Sequence, residues 1–384
     1  MRKILLVNQT SGPLFDDVVR YAKSVASVSV FNGISYNRST SFKRLATWLV
    51  YTLHLALHLF FSGHRYSRLL VVSNPPFAPL IAPLGRRPYA LLLYDLYPDV
   101  LRQLKPNNEI FKFCLSLIDL VWRKSNSFLF KRSEHIFTLS DSMATQLRPY
   151  FSSESLWRSR VSVIPPWADT ANMYPRPDAA RFFRQKYSLK GLLFTYSGNI
   201  GITHPLEILL ETSVLLDGLS PIPFMQFLVI GDGPKRKFLE NKALSLNIPN
   251  ERLRFLDRLP YAELPASLSA ADLAVVALDG PASTASLPSK TFNALACGTP
   301  LLVLAPSDSA LAMLTKYHNC GYVIEPGPQA SERLLVLIQD LVDHPWKLVE
   351  LAANALVASR NYTPDNAKSL IDQWLAIEAT RHEV

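Results

Sequence analysis

Residues 194–207 read FTYSGNIGITHPLE. An aromatic and β-branched run stops at Ser197, Gly198 and Gly201 follow, and a helix opens near Pro205. Such a strand–turn–helix brings backbone close to a ligand at its glycines and offers an anion the free amides of a helix start. Residues 227–234, FLVIGDGP, repeat the device, with Gly231, Asp232 and Gly233 between strand and helix. Residues 286–300, SLPSKTFNALACGTP, add a third: Ser286, Leu287, Pro288 and Ser289 lead into a helix with Lys290 in its first turn. Proline suits that turn, but a cation there opposes the helix dipole, and a bound phosphate accounts for it.

Outward from these turns the chain alternates strand and helix. Apolar runs predict strands at 192–196, 226–230, 253–255, 273–277, 300–304 and 321–324, with helices near 205–216, 234–246, 261–269, 288–297, 308–315, 331–342 and 345–359. The first half does the same, with strands at 4–7, 28–31, 69–73, 90–94, 135–139 and 161–164 and helices near 14–25, 43–61, 109–131 and 141–150. Strands so spaced predict parallel sheets covered on both sides, hence an α/β chain of two doubly wound, Rossmann-like domains. Prolines 165 and 166 and the stretch to Pro177 read as the linker. The expected domains are 1–170 and 171–363, with a final helix at 364–384 crossing back to the first. Ligands of open α/β sheets sit beyond the strands' carboxyl ends, so a cleft between two such domains is the expected site.

The 384 residues suit two domains, and 48% apolar against 18% charged residues excludes a disordered chain. Three dispersed cysteines exclude a disulfide framework and a cysteine zinc site, and fit a reducing cytosol. The opening MRKILLVN reads as a first strand rather than a signal peptide. Residues 1–170 hold 21 Lys+Arg against 10 Asp+Glu, a net +11, whereas residues 171–384 hold 19 against 21, a net −2. A basic half attracts polyanions, and with no helix-turn-helix, RNP or zinc-finger pattern the reading is no nucleic acid. Residues 45–61, LATWLVYTLHLALHLFF, carry no charged residue over 17 positions. That is the lower edge of spanning length, and the strand-like run at 69–73 follows too closely for the helix to leave the domain. A helix lying at an anionic membrane surface, or buried in the core, remains.

In order and spacing these motifs resemble the GT-B glycosyltransferases, specifically the retaining family 4 and its bacterial cell-surface polysaccharide branch. The pieces that carry the resemblance are YSGNIGITHPLE (196–207), FLVIGDGP (227–234), RFLDRLPYAELPASLSAADLAVVAL (254–278), LPSKTFNALACGTPLLV (287–303) and CGYVIEPG (320–327). LLLYDLYPDV (91–100) and IFTLSDSMATQL (136–147) add to it in the first half. The resemblance implies two Rossmann-like domains facing across a cleft and transfer of a sugar, with retention, from a UDP- or GDP-linked donor.

Carried over by position, the nucleotide would meet Gly198, Asn199, Gly231, Asp232, Gly233, Arg258, the stretch Ser286–Ser289 and Asn293. Relatives place Arg and Lys where this chain has Asn199 and His204, so the diphosphate would rely on Lys290 and on a His204 that gains charge beside phosphate. The family's paired glutamates fall on Ala285 and Asn293, and the Asn293 amide can still meet the ribose. Asp95 is the carboxylate expected at the reacting sugar, with Asp99 nearby and Gly12 in the loop after the first strand. The catalytic set is thus Asp95, Lys290 and His204. No resident cofactor is implied, and no metal, since no Asp-x-Asp cluster is present. The expected partners are the nucleotide sugar, a polyprenyl-diphosphate-linked or other glycan acceptor and an anionic membrane surface, placing the chain peripherally on the cytoplasmic side of the plasma membrane. The departures at Asn199, Ala285 and Asn293 keep open a non-catalytic scaffold of the same fold, and a nucleotide-sugar epimerase is a further alternative. A dinucleotide oxidoreductase ranks below both, since no G-x-G-x-x-G follows the first strand.

Overall fold

A computed structural model describes residues 3–10, 12–32, 41–98, 109–217, 225–284 and 286–379. Asp99 and Ala285 lie outside the described residues. The chain divides into two units, Met1–Pro166 with Pro364–Val384, and Trp167–Thr363.

The first unit is built on β1 (Lys3–Val7), β2 (Val28–Phe31), β3 (Tyr66–Val72), β4 (Tyr89–Leu93), β5 (His135–Thr138) and β6 (Val161–Val163). Its helices are α1 (Pro13–Val25), α2 (Ser41–Ser62), α3 (Ala78–Ile81), α4 (Glu109–Arg132), α5 (Asp141–Leu147) and α6 (Glu154–Arg160). All strand pairings are parallel, in the order β2-β1-β3-β4-β5-β6. Helices cover both faces of such a sheet, which is why β4 reads YALLL and is buried at every position. Neither α3 nor α6 was marked by periodicity; α6 has an N-cap, Ser153, whose hydroxyl accepts from the Leu156 amide.

The second unit carries β7 (Leu192–Ser197), β8 (Met225–Ile230), β9 (Leu253–Leu256), β10 (Leu273–Ala277), β11 (Leu301–Leu304) and β12 (Gly321–Ile324). They pair in parallel in the order β12-β11-β10-β7-β8-β9. Counted from β7, this is the 3-2-1-4-5-6 order of doubly wound sheets, with its switch point between β7 and β10. The helices are α7 (Pro177–Lys186), α8 (Glu207–Asp217), α9 (Arg236–Ser245), α10 (Leu264–Ser269), α11 (Ser289–Ala296), α12 (Ala310–Tyr317), α13 (Ala330–Asp343) and α14 (Trp346–Ser359).

The stretch read as a linker contributes side chains to the core. Trp167, Ala168 and Met173 are buried, and the Ala168 amide donates to the Tyr362 carbonyl. The second unit therefore begins at Trp167 rather than 171, and α7 opens on Pro177, where the linker reading ended. Apolar residues hidden among prolines hold this segment against α11 and its neighbours.

The last helix, α15 (Asp365–Ala379), belongs to the first unit, where it packs on α1. The Tyr21 hydroxyl donates to Asp372 at 2.9 Å and the Asn366 amide to the Pro165 carbonyl at 3.1 Å. Trp374 is fully buried, with the Arg68 guanidinium 5.1 Å from its ring centroid. Arg68 in turn bonds Glu134 at 2.9 Å, so β3, the start of β5 and α15 meet at one buried ion pair.

Candidate active site

The second unit gathers its glycine turns at the carboxyl end of the sheet. The chain leaves β7 at Gly198, whose amide donates to the Ile230 carbonyl at 2.9 Å. It leaves β8 at Gly231, directly beside it. A Cβ on Gly231 would stand 2.0 Å from the Gly198 carbonyl oxygen, and Gly231 has φ 134°. No side chain fits there, so the two loops lie backbone to backbone. Their contact continues through the Ile200 amide, which donates to the Asp232 carbonyl at 2.8 Å. Asp232 turns its own carboxylate to the Gly233 amide, 2.7 Å away. From β10 the Asp279 amide donates to the Thr203 carbonyl at 2.9 Å, closing the loop 198–204 over the switch point.

Lys290 reaches this place from the first turn of α11. Its Nζ lies 3.8 Å from the centroid of the Tyr196 ring, a cation–π distance. A Cβ on Gly198 would come within 2.8 Å of that nitrogen, so the glycine leaves the ammonium its room. The nitrogen is buried and meets no hydrogen-bond acceptor among the described residues. Burial brings its pKa down to about 7. The α11 start is capped by Pro288 in extended conformation, which leaves the Ser289 and Lys290 amides without intrahelical partners.

His204 sits on the other side of Tyr196. Its Nδ1 accepts from the Gly201 amide at 3.1 Å and lies 2.7 Å from the Tyr196 hydroxyl. An acceptor Nδ1 puts the ring proton on Nε2. Burial, then the charges of Lys290 and Lys235, push the His204 pKa down to about 4. In the ligand-free protein His204 is therefore a neutral imidazole that offers an N–H, and the charge expected of it belongs to the phosphate-bound site. Lys235, which the motif reading passed over, donates to the His204 carbonyl at 2.8 Å and pairs with Glu207 at 2.6 Å. It ties the first turn of α9 to the loop before α8. Its only sequence signal was its place just after GDGP.

The remaining residues assigned to this unit differ in exposure. Asn293 is half-buried on α11, with no side-chain hydrogen bond among the described residues, while Ser286, Leu287 and Pro288 line the approach to its first turn. Asn199 is exposed, and its carbonyl rather than its amide meets the Tyr196 hydroxyl. Arg258 is exposed two residues beyond β9.

In the first unit the switch point lies between β1 and β3. The residues after β1 are polar and buried there: Asn8 donates to the Thr10 carbonyl at 2.8 Å, and Asn74, after β3, donates to the Thr10 hydroxyl at 2.7 Å. Among the described residues the Asn8 Oδ1 atom is buried without a partner, a feature invisible in the sequence. Gly12 N-caps α1 with φ 171° and open space around its Cβ direction, so neither conformation nor crowding demands a glycine. Asp95 follows β4. The Tyr94 amide donates to Ser73 Oγ at 2.8 Å and fixes that turn, while the Asp95 carboxylate makes no hydrogen bond or ion pair among the described residues. Partial desolvation at the strand end raises its pKa above the ordinary carboxylate value, although much of the residue is open to solvent.

Comparison with known proteins fits this geometry. Residues 181–356 match the family model described as glycosyl transferases group 1. A probable glycosyltransferase, WbjE, from Pseudomonas aeruginosa is 26% identical over 285 residues, covering 73% of this chain and 68% of that protein. The crystal structure of Anabaena Alr3699/HepE in complex with UDP-glucose matches with a TM-score of 0.71 at 18% identity, covering 97% of this chain and 99% of that one. Sucrose-phosphate synthase (tll1590) from Thermosynechococcus elongatus matches with a TM-score of 0.72 at 16% identity, over 99% of this chain and all of that one. Identities this low speak to the fold alone. Residues 181–356 are thus similar to the glycosyl transferases group 1 family, and the chain has the two-sheet α/β fold seen in the GT-B glycosyltransferase structures.

Proposed function

We propose that this chain transfers a sugar from a nucleotide diphosphate sugar to a glycan acceptor carried on a polyprenyl diphosphate, with retention of configuration. The step belongs to cell-surface polysaccharide assembly on the cytoplasmic side of the plasma membrane. The observation that carries the donor side is Lys290: a buried ammonium without an acceptor among the described residues, beside the α11 amides that lack intrahelical partners. A buried cation is costly until an anion meets it, and a diphosphate is the anion that two backbone amides, a lysine and a histidine N–H together suit. HepE was crystallised with UDP-glucose, which makes UDP the first base to test.

In the transfer the bond between the sugar's anomeric carbon and the diphosphate oxygen breaks, and a bond to the acceptor oxygen forms. The acceptor proton goes to the departing phosphate. Lys290, the Ser289 and Lys290 amides and His204 Nε2–H stabilise the charge that grows on that group. Asn293 takes the ribose through its amide oxygen, and Arg258 stands by the base. Asp95, without a partner among the described residues at the end of β4, is the carboxylate on the acceptor side. The reaction consumes no resident cofactor. Neither fold nor loops define the acceptor, since the same architecture serves an enzyme named for sucrose phosphate. The lipid-linked acceptor rests instead on the first unit, whose 23 Lys+Arg against 13 Asp+Glu give +10, while the second holds 17 against 18.

Calorimetric titration with UDP-glucose and GDP-sugars tests the reading. Binding of one of them, lost in Lys290→Met, is expected. Tight binding that survives Lys290→Met would overturn the assignment of Lys290 to the diphosphate, and binding without turnover on any lipid-linked glycan would favour the scaffold.

A further inference from the structure

The sequence marked one apolar helix in the first unit; the structure exposes two. On α2, Tyr51, Leu55 and Leu59 pack inward and are fully buried. The opposite face presents Leu45, Leu49, Leu53, Leu57 and Phe61, each four residues from the last, with Phe61 67% exposed. Residues Lys43–Arg65 are long and apolar enough to cross a bilayer, yet β2 and β3 on either side of α2 both pair with β1, so the helix stays on its sheet. On α4, Phe113, Leu117, Val121 and Phe128 form a second exposed stripe, with Phe113 71% exposed. Asp119 and Arg123 break up that run in the sequence, but they pair with each other at 2.9 Å and lie off the stripe by helical spacing. The helices are joined through Phe77, whose ring meets Trp48 of α2 at 6.3 Å and Trp122 of α4 at 5.2 Å between centroids.

The margins are basic. Lys43 and Arg44 stand at the start of α2 and Arg65 just past its end, where Arg87 donates to the His64 carbonyl at 2.9 Å. Lys124 and Lys131 lie on the α4 stripe itself, exposed, with stems long enough to reach past apolar surface. Apolar side chains at the centre and cations at the edge complement a bilayer with anionic headgroups.

We propose that the exposed faces of α2 and α4 together form one membrane-docking surface for an anionic phospholipid bilayer. The proposal rests on the peripheral placement above and adds α4, so that two helices set the orientation of the first unit at the membrane. Cys114, exposed on α4 while Cys297 and Cys320 are buried, supplies a native reporter.

The full chain, labelled at Cys114 with an environment-sensitive thiol fluorophore, would be mixed with phosphatidylcholine vesicles with and without phosphatidylglycerol. Blue-shifted emission and co-sedimentation are expected with the anionic vesicles and should weaken with salt. Phe113→Gln/Leu117→Gln/Val121→Gln and, separately, Leu53→Gln/Phe60→Gln/Phe61→Gln should each lower partitioning at least about tenfold, with circular dichroism melts unchanged. Wild-type partitioning in the α4 variant would overturn the proposal, as would a Cys114 label left in water while the protein sediments. So would wild-type protein that ignores vesicles, including protein whose self-association the same substitutions abolish, since a second copy would then cover the face. Vesicle binding without nucleotide binding would instead mark failure of the transferase reading alone.

Discussion

At the end of β7 the second unit packs two backbone turns against each other, a lysine over a tyrosine ring and a histidine held through one nitrogen. At the end of β1 the first unit has an asparagine, a threonine and a second asparagine bonded among themselves, and its one assigned carboxylate stands free after β4. Both sheets have six parallel strands. Their order differs: the second switches between its first and fourth strands, the first between its first and third. The second unit thus concentrates its distinctive residues in loops around one buried lysine, whereas the first unit carries its own on exposed helix faces. A fold repeated twice in one chain can divide its labour by loops in one copy and by helix faces in the other.

Lys290→Met sharpens this contrast most. Affinity for UDP-glucose should fall about 100-fold, the worth of a charge-assisted bond in a buried site, while vesicle binding is unchanged. The same variant should raise the melting temperature of the ligand-free protein. The folded-state lysine titrates near 7 and the unfolded one near 10.5, so the unfolded chain holds the extra proton between those values. The penalty is full below pH 7 and fades towards pH 10.5, and the gain from methionine should follow it in melts at pH 6.5 and 9.5. Next in size, Trp374→Ala removes a fully buried ring and should cost ~3–5 kcal/mol of the first unit's stability, read as a shift in one of two denaturant transitions.

Asp95→Asn should reduce turnover about tenfold or more while leaving the dissociation constant for UDP-glucose unaltered, which separates the units kinetically. The pH profile comes after it. Binding of an anion raises the Lys290 pKa, so affinity should be highest below pH 7 and fall roughly tenfold by pH 8.5, with no inflection from His204, whose pKa lies near 4. A UDP-sugar is the right probe because both phosphates of its diester keep their charge throughout. Lys235→Met, which frees the His204 carbonyl, should have the smallest effect, about threefold in affinity.

The twelve strands among the described residues were legible, because strands covered on both faces are short apolar runs between turn residues, unbroken in YALLL and LAVVA. Short or capped elements were not: α3 spans four residues, and α7 hides behind prolines that looked like a linker. In the site, spacing located Lys290 but not its burial, which depends on Tyr196 arriving from another element. The ligand-free state of His204 was illegible for the same reason, since a ring's charge depends on neighbours 31 and 86 positions away, Lys235 and Lys290. The α4 face was illegible because the charged pair that interrupts it in sequence points elsewhere in space.

The ion pair of Arg68 and Glu134 has a consequence in time. Trp374 covers it, yet Trp374 is made only after the whole of Trp167–Thr363 has been synthesised. At ~5–20 residues per second that interval is roughly 10–40 s. For its duration the nascent first unit displays the groove in which Leu370, Ile371 and Trp374 will lie. Arrest of translation before residue 365 would leave that groove open to chaperones and proteases, so α15 acts as a seal that shorter chains lack.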